Sequence, residues 1–407
     1  MLKKRNYLNL FFCILFLLAN PPSSISKIFY VSKSGNDHNP GTSEKPFYSI
    51  QKSVDSLKHD GDEILIFPGD YYESVLINNS KKIIGVKIKS TDEIVNIFPD
   101  DTKPALTLKY AINWRIEGIN FCGNNAKDIV LIYRSPGSII ENCMVSGGSS
   151  SSIAFRAVYI LSSPNFVISN STIDAFSENN IMAFMSENLL IKGNNLSNSN
   201  AITIGFDAGC NYTVCEENYI HDRLLPGIKE RVIIQCRENI GSTIRRNLIV
   251  ERQDNSFLDA ILIRGPGNPS KSVLVENNTL IGPSSQTAIG IAANTLSSVC
   301  RNNIVVGFRN AIKVKFPSTP LAKPEVKVDC NDFYNIAGSV YDDNVGLCKI
   351  GSANISSDPL FSDTVYYKLN PGSPCIDSGD PSSALLPGGG KRIDIGRHEY
   401  YQQVQLP

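Results

Sequence analysis

Asparagine returns along this chain at near-constant intervals, each time just after a short apolar run. Aligned on that position, "IIENCMV" places Asn142, "VISNSTI" Ser171, "LIKGNNL" Asn194 and "VCEENYI" Asn218. "IRRNLIV", "VENNTLI", "CRNNIVV" and "VDCNDFY" then place Asn247, Asn278, Asn303 and Asn331. Successive members lie 23 to 31 residues apart. Three residues before each stands an apolar column: Ile139, Ile168, Ile191, Cys215, Ile244, Val275, Cys300 and Val328. Three short apolar runs per repeat, without a 3.6-residue period, predict one coil of a parallel β-helix rather than a helical repeat. Each coil adds one strand to each of three parallel sheets, about 4.8 Å above the last. Stacked asparagines at a tight turn hydrogen-bond amide to amide, and Asn tolerates the left-handed backbone that such turns use. The chain therefore reads as a single all-β solenoid.

The third run of each coil reads "AVYIL", "IMAFM", "AITIG", "RVIIQ", "AILIR", "AIGIA" and "AIKVK". Alternation points Ile202 and Ile204, Val232 and Ile234, Ile261 and Ile263, and Ile289 and Ile291 inward. It leaves two outward columns. One is Tyr159, Ala183, Thr203, Ile233, Leu262, Gly290 and Lys313; the other is Leu161, Met185, Gly205, Gln235, Arg264, Ala292 and Lys315. Solenoid ends need covers. "PFYSIQKSVDSLKHDGD" reads as an amphipathic capping helix with Phe47, Ile50, Val54 and Leu57 on one face, Pro46 in its first turn and Gly61 at its end. The turn-rich "DPLFSDTVYYKLNPGSPCIDSGD" reads as the C-terminal cover. The expected organisation is a signal over 1–26, a strand and cap over 27–80, coils over 81–345 and a closing segment over 346–407.

The signal is read from Lys3, Lys4 and Arg5 ahead of an apolar run from Leu8 to Ala19, with Ser24-Ile25-Ser26 as the cleavage site. That run is shorter than the roughly 20 residues of a membrane span. The expected location is secreted or in the cell envelope, with no membrane span once the signal is gone, and the expected state is a monomer. Equal numbers of basic and acidic residues, 39 each, argue against a nucleic-acid partner. Of ten cysteines, Cys13 falls within the signal and nine remain, an odd number. Cys215 and Cys300 lie in the inward column. Cys210 and Cys236 each follow a third strand in consecutive coils and are expected to bond.

"YVSKSGNDHNPGTSEKPFYSIQKSV" with "GDEILIFPGDYYE" resembles the opening of exported right-handed parallel β-helix proteins of the pectate-lyase-like superfamily. "GSPCIDSGD" with "DIGRHEY" resembles their closing segment. The likeness implies a right-handed helix over nearly all of the mature chain. It does not choose among polysaccharide lyases, glycoside hydrolases, epimerases and members without activity.

In resembling lyases the chemistry lies on the outward face of the strand after the loop, and on that loop. A uronate lyase must neutralise a carboxylate, by cations or calcium, and remove the neighbouring proton. The candidates here are Arg264 and Arg237 for neutralisation and Lys229 or His221 as base. Arg231, Arg252, Lys313, Lys315, Gln235 and Tyr159 are the candidate substrate contacts. Asp207, Asp222, Asp254 and Asp259 are the candidate calcium ligands. A solvated charged face is the plainer account of the same residues. A glycosidase needs two carboxylates about 5–10 Å apart. The adjacent pairs Asp100-Asp101 and Asp342-Asp343 stand near the ends, away from the presumed groove, and the Asn-Thr-Asp motif of polygalacturonase-like β-helices is absent. The leading expectation is a lyase-like protein for an acidic, uronate-containing glycan. The runner-up is a non-catalytic glycan-binding or adhesive surface protein.

Overall fold

The computed structural model describes residues 25–91, 93–100, 102–123, 126–147, 154–221, 232–252, 259–292, 294–315, 325–343 and 346–401. The expected signal segment lies outside them except for its last two residues. Among the described residues no helix is long and apolar enough to cross a membrane.

The chain winds into a parallel β-helix. Its side face is a sheet of 13 strands, one per coil, from Ile28–Val31 to Cys348–Ile350. The rear face carries the strand that follows each asparagine, such as Tyr219–His221 and Leu248–Val250. The front face carries the strand after the loop. Its later members are Val232–Arg237, Asp259–Arg264, Thr287–Ala292, Asn310–Lys315 and Ser339–Asp342. Thr172–Phe184 and Asn195–Phe206 run through the rear and front faces without a loop between them. One apolar core, continuous from Val31 to Phe333, fills the interior.

The asparagine ladder forms. Nδ2 of Asn194 donates to Oδ1 of Asn218 at 3.0 Å, Asn218 to Asn247 at 2.9 Å, and Asn247 to Asn278 at 3.0 Å. It continues through Asn303 and Asn331 to Asn354, which extends it one coil beyond the sequence alignment. Each Oδ1 also accepts the backbone N–H of the asparagine that precedes it in the ladder, as Asn278 does from Asn247. Asn142 is a correction. The register pairs Ile140, not Ile139, with Ile168, so Cys143 occupies the ladder position and donates its N–H to Ser171 Oγ. Asn142 stands one residue earlier, with φ of 52°, in the column that also holds Asn170, Asn277 and Asn302. That column explains the pairs Asn277-Asn278 and Asn302-Asn303: the first asparagine takes the left-handed turn and the second enters the ladder.

The outward columns also need correction. The register places Tyr159, Met182, Gly205, Gln235, Leu262, Gly290 and Lys313 in one row. Ala183, Thr203 and Ile233 are buried instead. Arg237 and Arg264 share the next row, and Ala292 and Lys315 follow there. The physical reason is the loopless corner of Thr172–Phe184, where the register shifts between Asp174 and Ser177 and again before Asn179. Aligning apolar runs by their first residue cannot detect such shifts.

The capping helix is confined to Ile50–Ser56, with Ser49 as N-cap accepting from the N–H of Lys52. The Glu73 carboxylate accepts the N–H groups of Ile50 and Gln51 at 2.9 Å each, which satisfies two further free donors of the first turn. Phe47, Ile50 and Leu57 are buried as expected. The closing segment folds back along the rear face. Asn277 Nδ2 donates to the carbonyls of Asp394 and Gly396, and Arg301 pairs with Asp380 at 3.1 Å.

Candidate functional site on the front face

The described charges converge where the late front strands stack. Gly290 lies in the outward row between Leu262 and Lys313. A Cβ there would meet Asp259 Oδ1 at 2.2 Å, so the missing side chain leaves room for the Asp259 carboxylate. Asp259 is fully buried, and its Oδ2 lies 2.5 Å from Lys315 Nζ. Its Oδ1 has no hydrogen-bond partner among the described residues. Burial pushes the Asp259 carboxyl above its ordinary range, although Lys315, Lys313 and Arg264 each pull it down. Lys313 pairs with Asp342 at 2.9 Å. Beside these lysines opens a cavity of about 400 Å3, lined also by Arg309, Asn310 and Ser339.

The front strands thus bring together Arg264, Lys313, Lys315 and Asp259, four residues expected in three different roles. Arg237 stacks under Arg264 in register and pairs with Asp207 at 3.3 Å. Gln235 is buried between Gly205 and Leu262. Tyr159 lies farther down the same face, with the Arg156 guanidinium 3.5 Å from its ring centroid. His221 is elsewhere. It stacks on Tyr219 on the rear strand, and its Nε2 is 2.7 Å from Asn195 Oδ1. Arg252 reaches the carbonyl of Thr364 in the closing segment. Asp222, Lys229, Arg231 and Asp254 lie outside the described residues.

Asp207 and Asp259, the two described candidates for calcium, are engaged in ion pairs. Each carboxylate already faces a cation, and among the described residues no group of three or more His, Cys, Asp or Glu side chains is placed to hold a metal. Cys210 and Cys236 are both buried free thiols, so the expected bond is not formed. Burial pushes both thiols up to about 12, which leaves them protonated and inert. Cys215 and Cys300 are buried in the inward column as expected. The adjacent aspartates near the end diverge: Asp342 turns to Lys313, while Asp343 accepts the N–H groups of Leu347 and Cys348. Asp342 therefore belongs to the groove, a correction to its placement away from it. Sequence reasoning passed over Arg309, Asn310 and Gly290. A glycine inside the strand "AIGIA" was the available signal of a close approach.

Residues 104–257 match the family model described as "Right handed beta helix region". No curated protein sequence matches the chain. Among solved structures, a pectate lyase, Pel9A, is 13% identical with a TM-score of 0.62, covering 93% of this chain and 97% of that one. An alginate lyase from Paenibacillus sp. str. FPU-7 is 12% identical with a TM-score of 0.53, covering 79% of this chain and 99% of that one. PfbA, a surface adhesin of Streptococcus pneumoniae, is 13% identical with a TM-score of 0.50, covering 72% of this chain and 87% of that one. At such identities the likeness is one of fold. Together with the coil register and the ladder, it places the chain among the right-handed parallel β-helix proteins.

Proposed function

We propose that the front face binds an acidic, uronate-containing glycan of the cell exterior and cleaves it by β-elimination. The observation that carries this reading is the cationic cluster of Arg264, Lys313 and Lys315 around the buried Asp259 carboxylate. Arg264 and Lys313 neutralise the substrate carboxylate, which makes the proton on the adjacent carbon removable. A base takes that proton, and Lys229 is the candidate for it that the sequence offers. The electron pair forms the carbon–carbon double bond, the glycosidic C–O bond breaks, and Lys315, held by Asp259, protonates the leaving oxygen. His221, the other candidate, is held on the rear strand by Asn195 and Tyr219. The alternative is a surface protein that holds the glycan without cleaving it, a reading favoured by the fold likeness to an adhesin.

The test is the full chain assayed on polygalacturonate, alginate and glycosaminoglycans for the ultraviolet absorbance of an unsaturated product. Lys315→Ala and Arg264→Ala should each lower the rate about 100-fold or more. Glycan retention without any product from the wild type would overturn cleavage and leave the binding reading.

A further inference from the structure

The front face carries a second cluster near its other end, unlike the first in chemistry. Phe155 is 42% exposed. The Arg156 guanidinium lies 5.0 Å from its ring centroid and Lys127 Nζ lies 5.8 Å from it. Arg156 is itself fixed by Asp128, with Nε–Oδ1 of 2.6 Å and Nη2–Oδ2 of 3.2 Å, and it also covers Tyr159. One strand below, Arg134 sits 5.1 Å from the Tyr133 ring. Asp128 neutralises Arg156, while Lys127 and Arg134 have no carboxylate partner in any ion pair among the described residues. The outcome is an exposed aromatic ring bordered by Lys127, while Arg134 stands at the opposite end of its strand, beyond Tyr133.

From Tyr159 the outward row climbs through Met182, Gly205, Gln235, Leu262 and Gly290 to Lys313. These six steps of about 4.8 Å span about 29 Å. None of the five intervening residues is charged. This uncharged row, flanked by Arg237 and Arg264 in the next row and with cations at both ends, fits one extended polyanion better than two separate small ligands.

We infer that Phe155 and Lys127 form a distal subsite that stacks and charge-pairs one unit of an acidic glycan whose chain runs up to Lys313 and Lys315. The inference rests on the acidic-glycan reading and adds to it that the protein grips internal stretches of long chains. Sugar rings stack on exposed aromatic faces, and a carboxylate on that sugar meets Lys127.

Isothermal titration of the full chain with oligomers from polygalacturonate and alginate tests this, comparing trimers with chains long enough to span both clusters. Phe155→Ala and, separately, Lys127→Ala should weaken long chains about tenfold and leave trimers unchanged, whereas Lys313→Ala should weaken both. Lys127 is an exposed side chain, so its variant keeps the test open should Phe155→Ala misfold. Equal losses for trimers and long chains, or no loss for either, would overturn the distal subsite while leaving the acidic-glycan reading in place. Wild-type protein that binds neutral oligomers and no acidic one would overturn both.

Discussion

Gly290 shows how one missing side chain shapes the chemistry of the groove. Its outward position is the space into which the Asp259 carboxylate leans, and that carboxylate holds Lys315. A methyl group there has no room to form without moving Asp259, because the contact would be 2.2 Å. Gly290→Ala is therefore expected to displace the carboxylate and release Lys315 without changing any charge. Turnover on an acidic glycan should fall about tenfold or more, in line with the sensitivity of proton transfer to position. A variant with unchanged thermal unfolding and unchanged turnover would show that the notch has no role. The sequence could mark Gly290 as unusual. It could not show that the occupant of its space is a carboxylate from the neighbouring coil, since Asp259 precedes it by 31 residues.

Among the elements, two ladders hold the coils in register, and only one was legible beforehand. The asparagine ladder is a repeat of one residue type, so spacing alone reveals it. Removing one rung should be costly. Asn247→Ala takes the acceptor from the Asn218 backbone N–H and from one of the two Asn218 Nδ2 hydrogens, and removes one of the donors to Asn278 Oδ1, all in the dry interior. Unsatisfied buried groups cost about 1–3 kcal/mol each, so urea unfolding should register a loss of roughly 3 kcal/mol. A loss below about 1 kcal/mol would mean that the rungs do not support one another. The second ladder runs on the outer surface of the side face and alternates in sign. Glu216 sits between Lys192 at 2.8 Å and Arg245 at 2.7 Å, and Arg301 bonds Glu276 at 2.9 Å. Burial acts to raise the Glu216 carboxyl, but hydrogen bonds from Lys192 and Arg245 outweigh it and hold the group below its ordinary value. This ladder was missed because its residue types change from coil to coil, so no column repeats. The same limit affected the front face. Its inward rows were correct where strands start at loops, as in Ile261 and Ile263, and slipped where Thr172–Phe184 turns the corner without one.

On the scale of the whole molecule, the closing segment joins coils far apart in sequence. It binds Arg301 on the side face, Asn277 and Asn302 at the turns and Thr279 on the rear, and Arg397 reaches the carbonyl of Glu217, 180 residues away. The sequence marked this segment as a cover by its turn residues, but not where it lies, because that depends on which outward asparagines remain free to donate. His398 makes its docking sensitive to pH. Burial and the adjacent Arg397 lower this imidazole from 6.5 to about 4, while the Tyr366 carbonyl and Asp363 act in the opposite direction. Folded His398 thus stays neutral between about pH 6.5 and pH 4, where an undocked histidine would take a proton. The undocked state binds more protons in that window, so docking weakens as pH falls from 6.5 toward 4. Asp394 and Glu399, raised by burial, act with the reverse sign: the docked state takes up their protons more readily, so acid favours docking through them. The two contributions separate by difference. Between about pH 7 and about pH 5, the urea midpoint of the wild type should fall more than that of His398→Asn. Parallel falls in the two proteins would show that the histidine does not control the closure, and that the contacts to Asn277, Thr279, Arg301, Asn302 and the Glu217 carbonyl hold the segment.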